Sequence, residues 1–163
     1  MSWETIRDYT STLVKGVSGI GNVYTYRRNW KFWSQIYENA VVGNLLNNWE
    51  ITRNGTERTI DAVGSSYGNL PYYRWKHKVA IIGHMSLNDE AASEQTFQLL
   101  VTNIIKALNA DPVMSLANGY VNLLLVPSPS VSAAKITEVE WAKVLCHTTE
   151  ITFDAIERTT GGN

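Results

Sequence analysis

The sequence predicts an α+β fold: a mostly antiparallel (mixed) β-sheet with two main helices packed on one face and a projecting β-hairpin. Three observations carry this expectation. Residues 2–17 and 86–112 place apolar side chains at helical spacing, which marks two amphipathic helices. The segments between and after them are rich in Val, Ile, Thr, Tyr and Trp, the composition of strands. These strand runs come in blocks without regular strand–helix–strand alternation. Helices segregated to one face of a sheet give that order.

In the first helix Ser2 offers an N-cap, and Ile6, Tyr9, Leu13, Val14 and Val17 form the buried stripe. Gly16, Gly19 and Gly21 stop it. Asn22 to Arg27 (N-V-Y-T-Y-R) reads as a short strand. In residues 30–39, Trp30, Trp33 and Tyr37 share one helical face, so a short helix is expected there. Leu45 to Arg53 alternates around Trp49 and Ile51 as a strand. Asn54-Gly55 is the strongest turn pair in the chain and is expected to close a tight hairpin into Thr56 to Val63. A second turn, S-S-Y-G-N-L-P, covers residues 65–71.

Tyr72 to Met85 is an unusually long β run, about 46 Å at about 3.3 Å per residue. A domain of this size is narrower than that, so part of the strand is expected to project. Its outer half, Tyr72 to Lys78, is aromatic and basic. Its inner half, Val79 to Ile82, is continuously apolar, as in a strand covered on both faces.

The main helix has its start, face and stop written in sequence. Ser86, Asn88 and Asp89 are N-cap candidates, and Glu90 suits the positive end of the helix dipole. Phe97, Leu100, Val101, Ile104, Ile105 and Leu108 make the apolar stripe, and Pro112 forbids continuation. After it come a buried strand at Tyr120 to Val126, a weaker one at Val131 to Glu140, and a strong one at Val144 to Ile156. In the last, Leu145, His147, Thr149, Ile151 and Phe153 share a face. Residues 1–158 are expected to form one domain and 159–163 a frayed tail.

The composition excludes several function classes. The chain has 163 residues, 44% hydrophobic, and a formal net charge of −1, so no global field points to nucleic acid or acidic lipid. Its one cysteine, Cys146, excludes an internal disulfide and fits a reducing compartment. No run of about 18 apolar residues predicts a membrane span, and the first residues lack the apolar core of a signal peptide.

Catalytic and metal patterns are weak. Gly64-Ser65-Ser66-Tyr67-Gly68 fits G-x-S-x-G, but a strand follows it where the nucleophile elbow requires a helix. A hydrolase built on Ser66, His147 and an Asp is therefore a minor alternative. Gly16, Gly19 and Gly21 follow a helix, whereas a phosphate loop precedes one. His77 and His84 lie seven apart on one strand and point to opposite faces; no metal-ligand spacing occurs. No cofactor and no metal are expected. Glu138 and Glu140 share a strand face without marking an acid–base pair.

What stands out is six Trp and eight Tyr, several interleaved with cations. Two segments concentrate them: Arg27-Arg28-Asn29-Trp30-Lys31-Phe32-Trp33, and Tyr72-Tyr73-Arg74-Trp75-Lys76-His77-Lys78. Such mixtures serve as stacking platforms for single-stranded nucleic acid, and equally as anchors of protein interfaces. Near-zero net charge favours the protein contact. The interface candidates are Arg27, Arg28, Trp30, Trp33, Tyr67, Tyr72, Tyr73, Arg74, Trp75 and Lys76.

The order of elements also resembles a known family. It comprises a helix ending in G-I-G-N-V-Y (Gly19 to Tyr24), the strand W-E-I-T-R (Trp49 to Arg53), and a long strand into G-H-M-S-L-N-D-E-A-A-S-E (Gly83 to Glu94). The main helix then ends in A-L-N-A-D-P (Ala107 to Pro112), and V-L-C-H-T-T-E-I-T (Val144 to Thr152) closes the pattern. The chain resembles the tail terminator (tail completion) proteins of long-tailed bacteriophages over nearly its whole length, departing from them at residues 30–42 and 64–71. The resemblance implies a structural virion protein that forms a homohexameric ring at the head-proximal end of the tail. Such a ring caps the tail tube, ends its polymerisation and offers a head–tail joining surface. Its implied partners are further copies of itself, the tail tube protein and a head-completion or connector protein. DNA would pass through the lumen without sequence recognition, and assembly would occur in the host cytoplasm. A related neck protein of similar fold and a nucleic-acid-binding module are the alternatives.

Overall fold

The computed structural model describes residues 3–28, 41–42, 45–61, 72–88, 92–110, 124–125, 132–133, 135–141 and 144–160. Helix α1 spans Trp3–Lys15 and is followed by strands β1 (Asn22–Tyr24), β2 (Val41–Val42), β3 (Leu45–Asp61) and β4 (Tyr72–Ser86). Helix α2 spans Ser93–Ala110, and the chain closes with β5 (Leu124–Leu125), β6 (Ser132–Ala133), β7 (Thr137–Trp141) and β8 (Val144–Thr160). The architecture is α+β as expected, with a mixed, mostly antiparallel sheet of main order β1-β3-β4-β8-β5. The β1–β3 pairing is parallel, while β3–β4, β4–β8 and β8 with β5, β6 and β7 are antiparallel.

Both helices pack on one face of this sheet. Helix α1 meets β1 and β3, α2 meets β4 and β8, and the helices touch each other. The register explains the core. Trp49 faces Gly83 and Thr149 across the three central strands, Ile51 faces Ile81 and Ile151, and Arg53 faces Val79 and Phe153. Residues in one row share a sheet face. That face receives Ile6 and Val14 from α1 and the α2 stripe of Phe97, Leu100, Val101, Ile104 and Leu108, all buried. Gly83 lies directly under the Trp49 indole, and Phe97 stacks over the indole's other side at 5.5 Å.

Five boundaries depart from expectation, the first being that β1 ends at Tyr24 rather than Arg27. Asn54-Gly55 does not close a hairpin; β3 runs through it, with a register shift between Arg53 and Gly55. The pair forms a β-bulge because β4 is long enough to pair with β3 on both sides of it, and long-range pairing overrides the local turn preference. The main helix begins at Ser93 rather than Ser86: Ser86 ends β4, where its hydroxyl accepts from Leu46 N at 3.1 Å. The expected strand at 131–140 comes as two pieces, β6 and β7, each on β8. Strand β8 extends to Thr160, where Tyr72 pairs with it, two residues into the segment expected to fray. The helix expected at 30–39, the loop at 64–71 and most of the strand expected at 120–126 lie outside the described residues.

Candidate interaction surface

Strands β3, β4 and β8 outrun the helices. Trp3, the first residue of α1, sits 6.5 Å from the His77 ring and carries the Arg53 guanidinium 5.3 Å over its own ring. This marks the edge of the helix layer. Beyond it the three strands continue in unbroken register, Arg58 with Trp75 with Glu157, and Ile60 with Tyr73 with Thr159. The expected projecting hairpin is therefore the β3–β4 pair, backed by β8 as a third strand. A lone two-stranded ribbon is marginal in water, and a third strand stiffens it.

A polar link, buried at His77 and Glu157, crosses all three strands at the root of this arm. His77 Nδ1 lies 3.3 Å from Thr56 Oγ1 on β3, and His77 Nε2 lies 3.4 Å from Glu157 Oε2 on β8. His77 and Glu157 are both buried. Burying a carboxylate is costly unless it is paired, so the link holds each strand at its neighbour's register.

The bulge decides what the arm displays. Without it, Glu57 and Thr59 would lie on the helix-side face; with it, Thr56, Arg58 and Ile60 do. On that face Arg58 lies 3.7 Å over the Tyr73 ring and 5.2 Å from the Trp75 ring. Such stacks contribute about 0.5–1 kcal/mol at exposed sites. Ile60 beside them is 70% exposed. The opposite face carries Arg74, Lys76 and Lys78. Lys76 pairs with Asp154 at 2.9 Å, and Lys78 pairs with Glu57. Each partner acts as its chemistry requires: the Asp154 carboxylate raises the Lys76 pKa, and the Lys78 ammonium lowers that of Glu57. These exposed pairs are weakened by salt and set strand pairing more than stability.

A second polar cluster occupies the sheet face away from the helices, nearer the base. Asn48, His84 and Thr148 form one row, and His84 Nδ1 lies 2.9 Å from Thr148 Oγ1. Glu50 Oε1 accepts from the Arg28 backbone N–H at 3.2 Å and from Asn48 Nδ2 at 3.5 Å. Burial pushes the Glu50 carboxyl upward, and these hydrogen bonds oppose the push. Burial, with the Arg27 charge nearby, brings His84 down to about 4.

The sequence candidates thus separate. Tyr73, Arg74, Trp75 and Lys76 all lie on the arm, Tyr73 and Trp75 on its helix-side face and Arg74 and Lys76 on the other. Tyr72 opens β4 between Asp61 and Thr160. Arg28 stacks on Tyr24 at 4.4 Å and Tyr26 at 5.2 Å and so turns toward its own segment, while Arg27 is exposed beside His84. The two basic–aromatic segments therefore do not form one surface within the described residues. Trp30, Trp33 and Tyr67 lie outside those residues. Sequence reading missed Arg58 and Thr56, since the supposed turn at Asn54-Gly55 hid that β3 continues, and Glu157, which lies one residue past the expected end of the last strand at Ile156. The signal that could have found them is the matching length of the 45–61 and 72–86 runs.

His147 is committed elsewhere. Its Nε2 lies 3.0 Å from Ser93 Oγ, which accepts from Asn88 N at 2.8 Å, and Phe97 stacks on its ring at 6.0 Å. Ser93 and His147 are buried, and together they tie the start of α2 to β8. Ser66, the proposed nucleophile of the hydrolase alternative, lies outside the described residues. Among the described residues, no cluster of His, Cys, Asp or Glu could hold a metal ion, and no helix is long and apolar enough to cross a membrane.

No family model matches this chain, and no curated protein sequence matches it.

Proposed function

We propose that the chain is a structural virion protein, a phage tail terminator. As a ring subunit, hexameric in the family it resembles, it would cap the tail tube, end its polymerisation and present a joining surface to the head. The whole-chain order of elements supports this reading. The structural observation that supports it most directly is the arm: three strands stiffened by the Thr56–His77–Glu157 link, displaying an Arg58–Tyr73–Trp75 stack and the exposed Ile60. Aromatic and Arg anchors on a rigid support are what protein interfaces concentrate. Further copies of the chain, the tube protein and a head-completion protein are the proposed partners, and the head-proximal end of the tail is the proposed location.

The test adds purified protein to polymerising tail tubes and images them by electron microscopy, with mass photometry of the protein alone. Arrested tubes with added density at one end are expected. A protein that stays monomeric and leaves tube growth unchanged would sink the reading. Binding to the head connector without binding to tubes would replace it with the neck-protein reading.

The alignment of Arg74, Lys76 and Lys78 along one face of the arm favours a second reading, single-strand nucleic-acid binding. Lys76 and Lys78 are already paired with carboxylates, which weakens it. It requires salt-dependent binding that Arg74→Ala reduces; no binding near physiological salt ends it.

A further inference from the structure

We propose that the sheet continues from one copy of this chain into the next. The edge of β3 at Ile51 to Asn54, just past the span that β1 covers, pairs with Thr137 to Glu140 of the neighbour's β7, which sets Arg53 against the neighbour's Glu138 with Glu140 on its diagonal. The proposal rests on the ring reading above and names its seam.

Two sheet edges are open among the described residues. On its outer side β1 covers β3 only at Asn48–Glu50, and β2 pairs with it only at Leu45–Leu46. Past Glu50 no described strand lies there, and Arg53, Asn54 and Thr56 to Ile60 are exposed. At the other end of the sheet β7 pairs with β8 alone, and Thr137 to Glu140 are exposed. An open edge presents unpaired backbone donors and acceptors and recruits another strand unless it is blunted.

Direction, face and charge all match. Strands β3 and β8 run one way and β4 and β7 the other, so β3 of a neighbour beside β7 is antiparallel. Glu138 pairs with His147, which faces Met85, and Glu140 pairs with Leu145, so both acids project on the helix-side face. Arg53, opposite Val79, projects on that same face. Opposite charges directly across a strand pair attract, and long side chains also reach the diagonal neighbour.

The stagger also matches. Glu138 lies level with Met85 and Arg53 level with Val79, so facing them requires a shift of six residues, or about 20 Å at about 3.3 Å per residue. Across the span β3-β4-β8-β7 one copy is about 19 Å wide at about 4.8 Å per strand. A shift of that size per copy corresponds to a strand tilt of about 45°, the upper end of what closed barrels adopt. A pure rotation can therefore relate the copies, as a closing ring requires.

Symmetric pairing of two β3 edges is disfavoured at its two charged centres. Centred on Glu57 it sets Glu57 against Glu57, and centred on Arg58 it sets Arg58 against Arg58. Like charges directly opposite repel.

The test mixes two singly substituted chains, Arg53→Cys and Glu138→Cys, under mild oxidation, with mass photometry of each mixture. The native Cys146 is buried and serves in the unsubstituted chain as the control. The expected result is a covalent dimer in the mixture, absent from either variant alone and from the control. Arg53→Glu should lose assembly, and Arg53→Glu with Glu138→Lys should regain it. Rings without the mixed disulfide would overturn the seam and leave the ring reading standing. A mixed disulfide within open-ended filaments would support the seam and count against a closed ring. No mixed disulfide and no assembly, or an Arg58→Cys chain that bonds to itself, would overturn the seam.

Discussion

Gly83→Ala is the most informative small change in the core. A Cβ added at Gly83 would sit 2.4 Å from Trp49 Cζ3, 2.7 Å from Cη2 and 2.8 Å from Cε3. Comfortable carbon contacts lie at about 3.5–4.0 Å, so the indole or strand β4 must yield by about 1 Å. The indole has nowhere to go. It is fully buried, Phe97 stacks on its far side at 5.5 Å, and its Nε1 donates to Asn47 Oδ1 at 2.7 Å. Overpacking of this kind costs about 1–3 kcal/mol, and this geometry belongs at the upper end. Removing a glycine from the unfolded chain offsets about 0.4–1 kcal/mol. The net loss is about 2 kcal/mol, which for this chain length lowers Tm by about 4–8 °C. Thermal melts by circular dichroism read it directly. The contact itself is tested by repeating the change in a Trp49→Leu background. With the indole gone, Gly83→Ala should be neutral or slightly stabilising. A cost that is equal in both backgrounds would refute the reasoning, because residues in contact couple and separated ones add.

Low pH should act through His84. Its folded pKa is brought down to about 4 from an ordinary 6.5, so below pH 6.5 the unfolded chain takes up a proton that the folded chain refuses. Stability attributable to His84 is therefore lost as pH falls from about 6.5 to about 4, by up to about 3 kcal/mol. Glu50 works in the opposite sense: its raised pKa favours folding as pH falls. Comparison with His84→Gln isolates the histidine, and parallel stability–pH curves for the two proteins would rule the effect out. Ile104→Asp places an unpaired charge in the core at a cost of several kcal/mol and should abolish the cooperative melt. Trp75→Ala and Tyr73→Ala remove only half-buried arm side chains, so they should keep a near-native melt while reducing ring assembly or tube capping. A Trp75 variant as unfolded as Ile104→Asp would end that division of labour.

How legible the chain was depended on the range of the interaction. The α2 stripe could be read because 3.6-residue periodicity is local: Phe97, Leu100, Val101, Ile104 and Leu108 needed no knowledge of the sheet to be placed on one face. The projecting length of β4 could be read for the same reason. The α2 start could not. Ser86, Asn88 and Asp89 are all good caps by composition, but Ser86 is taken by strand pairing, and Ser93 is fixed by Asn88 and by His147 on a strand over fifty residues away.

The sequence by itself determined the fold class, the two amphipathic helices, the buried face of the last strand and the aromatic–basic character of the arm. Each follows from spacing along the chain, which folding cannot alter. Tertiary structure alone decided that Asn54-Gly55 is a bulge, that Arg58 therefore joins Tyr73 and Trp75, that Glu157 meets His77, and that Arg53 and Glu138 stand on one sheet face, on strands that are opposite edges of the sheet among the described residues. These are matters of register between distant strands. A shift of one residue turns every side chain beyond it to the other face, and the sum of pairings across β3, β4 and β8 sets that register, not any one segment.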